Sequence, residues 1–158
     1  MGLVRSIAAV FSRCARRFSR TAEAKDPRHR LGRRGEKLAA RHLRRHGFKV
    51  LYRNFRAPRG GEVDLVCRDG NELVFVEVKT RSTRDFGSPA SAVNREKQQL
   101  IARGALAWLR LLDNPDIIFR FDIVEVVIDA AGVSFNIIRA AFALPEPHRY
   151  SARPDSPG

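Results

Sequence analysis

The chain has 158 residues, 44% of them hydrophobic, which is enough for one modest core and makes a second domain unexpected. Its formal net charge of +13 favours a polyanionic partner. Cys14 and Cys67 are the only cysteines, so the sequence suggests no disulfide framework and fits a reducing cytoplasm. Serine-nucleophile, Walker-type and Rossmann motifs are missing from the sequence, which argues against triad hydrolases, nucleotide hydrolases and dinucleotide enzymes.

The first 30 residues form a basic arm, with eight Lys or Arg against two acidic residues. Apolar residues such as Leu3, Ile7 and Phe11 alternate with arginines, so we expect residues 1–30 to be disordered or amphipathic. The apolar stretch is too short and too interrupted for a membrane span or a secretory signal. Organelle targeting, contact with a membrane surface and extra nucleic-acid binding stay open for this arm. The body is basic without it, since residues 31–150 carry 21 Lys or Arg against 14 acidic residues.

A helix is predicted over residues 32–46, with Gly47 as its C-cap. On a helical wheel Glu36 falls nearly in line with Ala40 and Leu43, so we expect its carboxylate to lean toward the core. It then either belongs to a polar site or acts as an acid that pairs along the helix and favours its dipole. The other stripe of this helix is basic and contains Lys37, Arg41, Arg44 and Arg45.

Two strands follow, near residues 48–55 and 61–66. In the second strand Glu62 and Asp64 alternate with apolar residues, which places both acids on one face. A basic cluster lies just before this acidic strand, and we expect it to form the rim of the same cleft. Its members are Arg53, Asn54, Arg56 and Arg59.

Residues 73–79 form the next predicted strand, on which Glu77 and Lys79 share a face. Asp69 and Gly70 lie between this strand and the previous one. Asp-Gly between two alternating runs predicts a hairpin with a two-residue turn. With that turn, the predicted opposite pairs are Arg68 with Asn71, Asp64 with Phe75, and Glu62 with Glu77.

The register of this hairpin decides whether two carboxylates and an ammonium meet. In the predicted register Asp64, Glu77 and Lys79 emerge on one face, whereas a shift of one position would send Asp64 to the other. A hard cation such as Mg²⁺ or Mn²⁺ takes oxygen ligands, so Asp64 and Glu77 are candidate metal ligands. Lys79 would orient a metal-activated water or stabilise developing negative charge. The alternative is a solvated strand face on which Glu-x-Lys is an ordinary surface pattern.

A polar loop is predicted over residues 80–94. It carries Arg81 and Arg84, and it leaves the strand that bears Lys79. The loop either orders over a phosphate backbone or is a plain connection.

A second helix is predicted over residues 95–112, with Asn94 as its N-cap. Gln98 shares the face of Ile101 and can reach the strands, although the polar end of a core helix explains it too. The remaining elements are strands near residues 117–128 and 133–140 and an irregular tail over residues 145–158. Asp122 and Glu125 are expected to be ordinary polar residues of the first of these strands.

Several separated motifs, in order between residues 31 and 139, resemble the YraN-like family of small bacterial proteins. They include Gly-Glu-Lys-Leu-Ala-Ala at residues 35–40, Gly-Glu-Val-Asp-Leu-Val at 61–66, Leu-Val-Phe-Val-Glu-Val-Lys-Thr-Arg at 73–81 and Arg-Phe-Asp at 120–122. That family resembles the restriction-endonuclease-like PD-(D/E)xK nucleases, and among these the archaeal Holliday junction resolvases most closely. No proline precedes Asp64 here, as is usual for the resolvase-like branch.

The resemblance implies an α/β fold with a restriction-endonuclease-like core, a central mixed β-sheet flanked by helices in the order αβββαββ. It implies an endonuclease-like domain over residues 31–144 and parallel pairing of the strand at residues 117–128. The residues that it makes catalytic are Glu36, Asp64, Glu77, Lys79 and Gln98, with Lys97 as the alternative to Gln98. Asp64 and Glu77 would bind the metal.

The leading hypothesis is a cytoplasmic metal-dependent nuclease that hydrolyses phosphodiester bonds, with branched DNA as a candidate substrate. The alternative is a catalytically inactive accessory protein that still binds nucleic acid. A membrane-surface adaptor acting through the arm ranks last. DNA is the expected partner, and cleavage of a junction would favour a symmetric homodimer.

Overall fold

The computed structural model describes residues 26–82 and 93–152 of the chain. In this part five strands form one sheet in the order β1-β2-β3-β4-β5, and two helices pack on it. The elements are α1 (Pro27–Arg45), β1 (Lys49–Arg56), β2 (Glu62–Asp69), β3 (Glu72–Arg81), α2 (Arg95–Leu111), β4 (Phe119–Asp129) and β5 (Gly132–Phe142). These elements confirm the predicted α/β fold, and within residues 26–82 and 93–152 they follow the order αβββαββ.

The sheet is mixed, as the resemblance implied. Strands β3 and β4 run parallel, whereas the other neighbouring strands are antiparallel. A parallel pair needs a long crossover connection, and α2 lies in that connection. The arrangement is consistent with a restriction-endonuclease-like core.

The two helices cover opposite faces of the sheet. Successive residues of β3 divide between two hydrophobic clusters, because strand side chains alternate between faces. Val74 and Val76 pack with Leu43 of α1, while Phe75 packs with Trp108 of α2. Full burial of side chains of this size contributes about 1.5–3 kcal/mol each, so these two clusters hold the helices in place.

Helix α1 begins earlier than predicted, at Pro27 rather than at residue 32. Asp26 is its N-cap and accepts a hydrogen bond from the backbone N–H of Arg28 at 2.9 Å. Pro27 occupies the first turn, where its missing N–H has no partner to lose. Asp-Pro is therefore the start signal, and apolar periodicity alone does not detect it. The helix ends at Arg45 with His46 as its C-cap, so the predicted cap, Gly47, lies one position further on, in the left-handed region at a φ of 88°.

The turn between β2 and β3 is made by Gly70 and Asn71, so the predicted turn at Asp69-Gly70 is wrong by one position. Asp69 pairs with Glu72 and closes the hairpin, and Gly70 takes the left-handed φ of 58° that this turn requires. The loop still contains two residues. The register is therefore displaced by two positions, and a displacement by an even number keeps Asp64 and Glu77 on one face.

The corrected register changes which residues lie opposite one another. Arg68 pairs with Leu73 rather than with Asn71, and Phe75 pairs with Val66 rather than with Asp64. The pairing thus brings Asp64 level with Glu77, one step beyond the last paired residues, and Glu62 no longer faces Glu77.

Asp122 is not an ordinary strand residue, because the structure buries it in a charge network beside the β2–β3 turn. Its carboxylate is 1% exposed and accepts hydrogen bonds from Arg120 Nε at 3.0 Å and from the backbone N–H of Ala140 at 2.9 Å. The same guanidinium contacts Asp69, at 2.8 Å, and Glu72. The hydrogen bonds from Arg120 and Ala140 offset the cost of burying the Asp122 charge. The contacts of Arg120 with Asp69 and Glu72 tie β4 to the hairpin.

No helix among the described residues is long and apolar enough to span a membrane. Residues 145–152 contain no helix or strand, and Tyr150 packs there against Phe119. The predictions for residues 1–25 of the arm, for Arg84 and for residues 153–158 of the tail lie outside the described residues.

Candidate carboxylate site at the fork of β2 and β3

Strands β2 and β3 separate at Asp64. Their pairing runs from the turn to Leu65 and Val76, and at the next position the backbone N–H of Val78 donates to Asp64 Oδ2 at 2.8 Å. A side chain thus replaces a strand carbonyl as the acceptor. The alternation of β2 breaks at the same point, since Val63 packs in the α2 cluster and Leu65 in the α1 cluster. Asp64 therefore lies at a fork in the sheet.

Helix α1 and strand β1 bring Glu36 toward this fork. Asn54 of β1 lies across from Asp64, in the left-handed region with a φ of 55°, and its side chain hydrogen-bonds Glu36. Burial and the charge of Asp64 raise the pKa of Glu36, while the Asn54 hydrogen bond and the positive charge of Arg53 oppose this effect. Glu36 leans inward, as the helical wheel predicted.

Glu77 is the most deeply buried carboxylate of this group, at 6% exposure. Burial, followed by the negative charge of Asp64, raises the pKa of Glu77 to about 8. Burial also raises the pKa of Asp64, the neighbouring carboxylate on β2. The two carboxyl groups titrate together, because ionising both brings two negative charges into repulsion. Glu77 Oε2 is buried and has no hydrogen-bond partner among the described residues.

A lysine from α2 faces these acids. Lys97 Nζ lies 2.5 Å from Glu62 Oε1 and 3.4 Å from Glu77 Oε1. Burial opposes the charge of this ammonium, but the carboxylates of Glu77, Glu62 and Asp64 together raise the pKa of Lys97. The hydrogen bond from Lys97 in turn lowers the pKa of Glu62. Lys97 is therefore the cation that the described structure places among the carboxylates.

Lys79 is exposed and lies on the same face of β3 as Glu77. Its partner position on β4 is Glu125, which is 2% exposed. Glu125 was expected to be an ordinary polar residue, but one of its oxygens accepts a hydrogen bond from Asn136 at 2.9 Å and the other has no partner among the described residues. Within the described part of the chain Lys79 makes no ion pair with Asp64 or Glu77.

Gln98 does not reach the carboxylates. Its side-chain amide donates instead to the carbonyl of Val93 at 3.1 Å, at the start of α2. Lys97 takes the position beside the acids that was predicted first for Gln98. The sequence did indicate this position for Lys97. It precedes the buried Ile101 by four residues and Gly104 by seven, so all three share one stripe of the helix.

Two glycines allow α2 to pack close to the start of β2, which sets how near the helix lies to the carboxylates. A Cβ on Gly104 would lie 2.9 Å from the backbone of Glu62, and one on Gly61 would lie 2.6 Å from the backbone nitrogen of Gly104. Helix and strand therefore touch backbone to backbone. Asn94 caps α2 by accepting a hydrogen bond from the Lys97 N–H at 2.9 Å, which fixes the backbone from which the lysine side chain extends.

The donor set fits a hard divalent cation. Asp64 and Glu77 offer carboxylate oxygens, and a cation would satisfy the unpartnered Glu77 Oε2. Mg²⁺ commonly binds one or two protein carboxylates and completes its coordination with waters and phosphate oxygens. Residues 26–82 and 93–152 contain no cluster of three or more His, Cys, Asp or Glu side chains arranged to hold a metal. A site of this open kind, rather than an all-protein cage, is what these residues offer.

The predicted phosphate-binding residues differ in how available their charges are. Arg56 pairs with Glu62 at 2.9 Å, so part of its charge is neutralised within the site. Arg81 is half-buried, and its Nε has no hydrogen-bond partner among the described residues. The other exposed members of the set are Lys37, Arg41, Arg44, Arg45, Arg53 and Arg59.

Comparison with known proteins places the chain in a family. Residues 35–126 match the model of the uncharacterised protein family UPF0102. A UPF0102 protein from Geobacter metallireducens is 45% identical over 114 residues, which cover 72% of this chain and 93% of the relative. A second, from Solibacter usitatus, is 50% identical over 112 residues, covering 70% and 84% respectively. The matched region includes the whole carboxylate site, and the chain belongs to the UPF0102, or YraN, family.

Proposed function

We propose that this protein is a metal-dependent nuclease that hydrolyses phosphodiester bonds. The observation that carries the proposal is the buried pair of Asp64 and Glu77 at the fork, with Glu77 Oε2 unpartnered among the described residues. Buried polar atoms in native proteins nearly always have a partner, and an unsatisfied one indicates a role such as binding an ion. A pair with a purely structural role would be expected to resemble Asp122, which is paired on both sides.

The residues of the site have distinct roles in this proposal. A bound Mg²⁺ or Mn²⁺ would supply a Lewis acid and a water of lowered pKa. Asp64 and Glu77 would hold it, and the Val78 N–H orients the Asp64 carboxylate. Glu36 is an auxiliary carboxylate near Asp64. Lys79, which is exposed and shares a strand face with Glu77, would contact a substrate phosphate and stabilise its developing charge.

The outer surface of α1 supports a nucleic acid as substrate. All eight Lys and Arg of this helix are exposed, and its one acid, Glu36, turns toward the fork. An open surface depression of about 350 Å³ on this helix is lined by Arg30, Arg33, Arg34 and Lys37. Neutralising phosphates with Lys and Arg supplies most of the sequence-independent affinity for nucleic acid. A helix of 19 residues is roughly 28 Å long, enough to follow several phosphates.

A second candidate function is nucleic-acid binding without cleavage. The position of Lys79 favours it, since in the described structure this lysine contacts neither carboxylate of the pair. A site that had lost turnover would keep the basic surface and still recognise backbone phosphates.

A cleavage assay separates the two functions. Wild-type protein and Asp64→Asn are incubated with Mg²⁺ or Mn²⁺, or with EDTA, on labelled four-way junction, duplex, flap and single-stranded DNA and on RNA. We expect cleavage that needs both the metal and Asp64, with a loss of at least about 100-fold in Asp64→Asn. The exposed Asp116→Asn is the matched control and should cut like the wild type.

The pattern of outcomes identifies the function. Salt-sensitive binding by a folded protein that never cuts would reject the nuclease and support the accessory role. Cleavage that survives in Asp64→Asn would place the active site elsewhere. If the four-way junction is preferred, light scattering of the protein on that substrate should show two copies, because paired cuts across a two-fold axis need two sites.

A further inference from the structure

We propose that the ammonium of Lys97 is a built-in counter-cation that competes with the divalent metal for Glu77 and withdraws to Glu62 when the metal binds. The inference rests on the proposed metal site, and it assigns roles to two residues, Lys97 and Glu62, outside the predicted pair of ligands.

The distances show that Lys97 has one main partner and one secondary partner. Its ammonium is 2.5 Å from Glu62 Oε1 but 3.4 Å from Glu77 Oε1. The first is a close charge-assisted hydrogen bond, while the second lies beyond ordinary hydrogen-bond length for such a pair. Lys97 can therefore leave Glu77 and keep its stronger contact.

Glu62 is better suited to anchor the lysine than to bind metal. Its Oε1 faces Lys97, and its Oε2 pairs with Arg56 Nη1 at 2.9 Å. Both oxygens are thus engaged by cations. Glu77 differs, because Lys97 faces only Oε1 and Oε2 stays unpartnered among the described residues.

Electrostatics sets the competition. When they are ionised, Asp64, Glu77 and Glu62 repel one another, and a positive charge among them relieves that repulsion. A divalent cation on Asp64 and Glu77 supplies the same relief with twice the charge, and it repels an ammonium 3.4 Å from Glu77. The lysine and the metal are therefore alternatives at Glu77, while Glu62 holds the lysine within reach of the site.

The test measures Mn²⁺ binding directly, by calorimetry or by electron paramagnetic resonance of free Mn²⁺, without any substrate. Removing the competitor in Lys97→Met should lower the dissociation constant by at least about tenfold. Removing the anchor in Glu62→Gln should raise it by a similar factor, because Lys97 then has only Glu77 and Asp64 as partners. In the Lys97→Met background the same Glu62→Gln change should have little effect, since Glu62 acts through Lys97.

Two control variants make it possible to interpret the Mn²⁺ dissociation constants. Lys49→Met makes the same chemical change on an exposed lysine of β1 and should leave the dissociation constant at the wild-type value. Lys97→Gln repeats the removal of charge with a polar side chain in case Lys97→Met does not fold, and thermal unfolding of each variant shows which of them fold.

The outcomes distinguish this inference from the proposed function. Unchanged or weaker Mn²⁺ binding in both Lys97 variants would overturn the competition while leaving the metal site standing. Equal losses from Glu62→Gln with and without Lys97 would make Glu62 a metal ligand and overturn its role as an anchor. No Mn²⁺ binding in wild type or in any folded variant would remove the metal site and the competition together.

Discussion

Glu77 connects the chemistry of the site to the stability of the fold. Its pKa is raised from an ordinary 4.5 to about 8, first by burial and then by Asp64, so the metal-free folded protein keeps a proton there that the unfolded chain releases at lower pH. The unfolded state binds fewer protons between these two values. Stability contributed by this group therefore falls as the pH rises from about 5 to 8.

Replacing Glu77 by glutamine should remove that loss. We expect the free energy of unfolding of Glu77→Gln, measured by denaturant titration in EDTA, to fall less steeply with pH than that of the wild type. The variant should be more stable near pH 8 by on the order of 2 kcal/mol, because glutamine cannot release a proton in the unfolded chain and the unfolded state therefore gains nothing as the pH rises. The exposed Glu146→Gln is the control and should keep the wild-type slope. Identical slopes in all three proteins would contradict the burial of a protonated Glu77.

Single residues also mark where sequence reasoning succeeds and where it stops. Alternation on β3 correctly put Glu77 and Lys79 on one face, because that strand is regular throughout. Alternation cannot report the break at Asp64, since the break arises when a side chain takes the hydrogen bond of Val78. Lys97 and Glu62 likewise meet only in the folded structure, since they are 35 residues apart and no local sequence pattern predicts their contact.

At the scale of elements, the hairpin turn shows an error that was harmless to the site. Asp-Gly correctly indicated a tight turn, but the loop residues are Gly70 and Asn71, and glycine occupies the first loop position, where φ is positive. Moving a two-residue loop by one position changes the strand register by two positions. Because side chains alternate with a period of two, such a change does not turn a regular strand over. The packing of α1 against the sheet also determines the geometry of the site, and no local sequence pattern predicted it.

Gly35 is where α1 touches β3. A Cβ at this position would overlap Thr80 Oγ1 and would lie 2.8 Å from Thr80 Cβ. Gly35→Ala should therefore push the helix away or displace Thr80, and we expect it to lower the free energy of unfolding by about 1–3 kcal/mol. Glu36 is the next residue, so the same change should also move the Glu36 carboxylate away from Asp64.

The matched control for this contact lies on the same helix. A Cβ added to Gly32 would have no other atom within 4 Å, so Gly32→Ala should stabilise the helix by roughly 0.5–1 kcal/mol. Thr80→Ala in the Gly35→Ala background should recover part of the loss, because it removes the two nearest atoms. Chemical denaturation of these variants and the wild type tests this. Equal effects of alanine at both glycines would mean that α1 and β3 are not in close contact.

At the scale of the whole molecule, the positive charge is distributed so that one helix carries an unbroken cationic surface. Helix α1 carries eight exposed Lys and Arg, and its one acid, Glu36, is half-buried. Like charges three or four residues apart weaken a helix slightly. Helix α2 differs, since it carries an exposed acid, Glu96, in its first turn. Binding to a polyanion through α1 would relieve the repulsion along that helix.

Salt dependence of binding tests whether this surface holds phosphates. Arg34 and Arg41 lie seven residues apart on α1, and Arg103 and Arg110 lie seven apart on α2, so the two arginine-to-glutamine double variants remove equal charge at equal spacing. Each phosphate contact contributes about 0.9 to the slope of log K against log salt on duplex DNA. The α1 double variant should therefore reduce the slope by up to about 1.8, measured by fluorescence anisotropy, and the α2 double variant should leave it near the wild-type value. Equal reductions would show that net charge, rather than α1, governs binding.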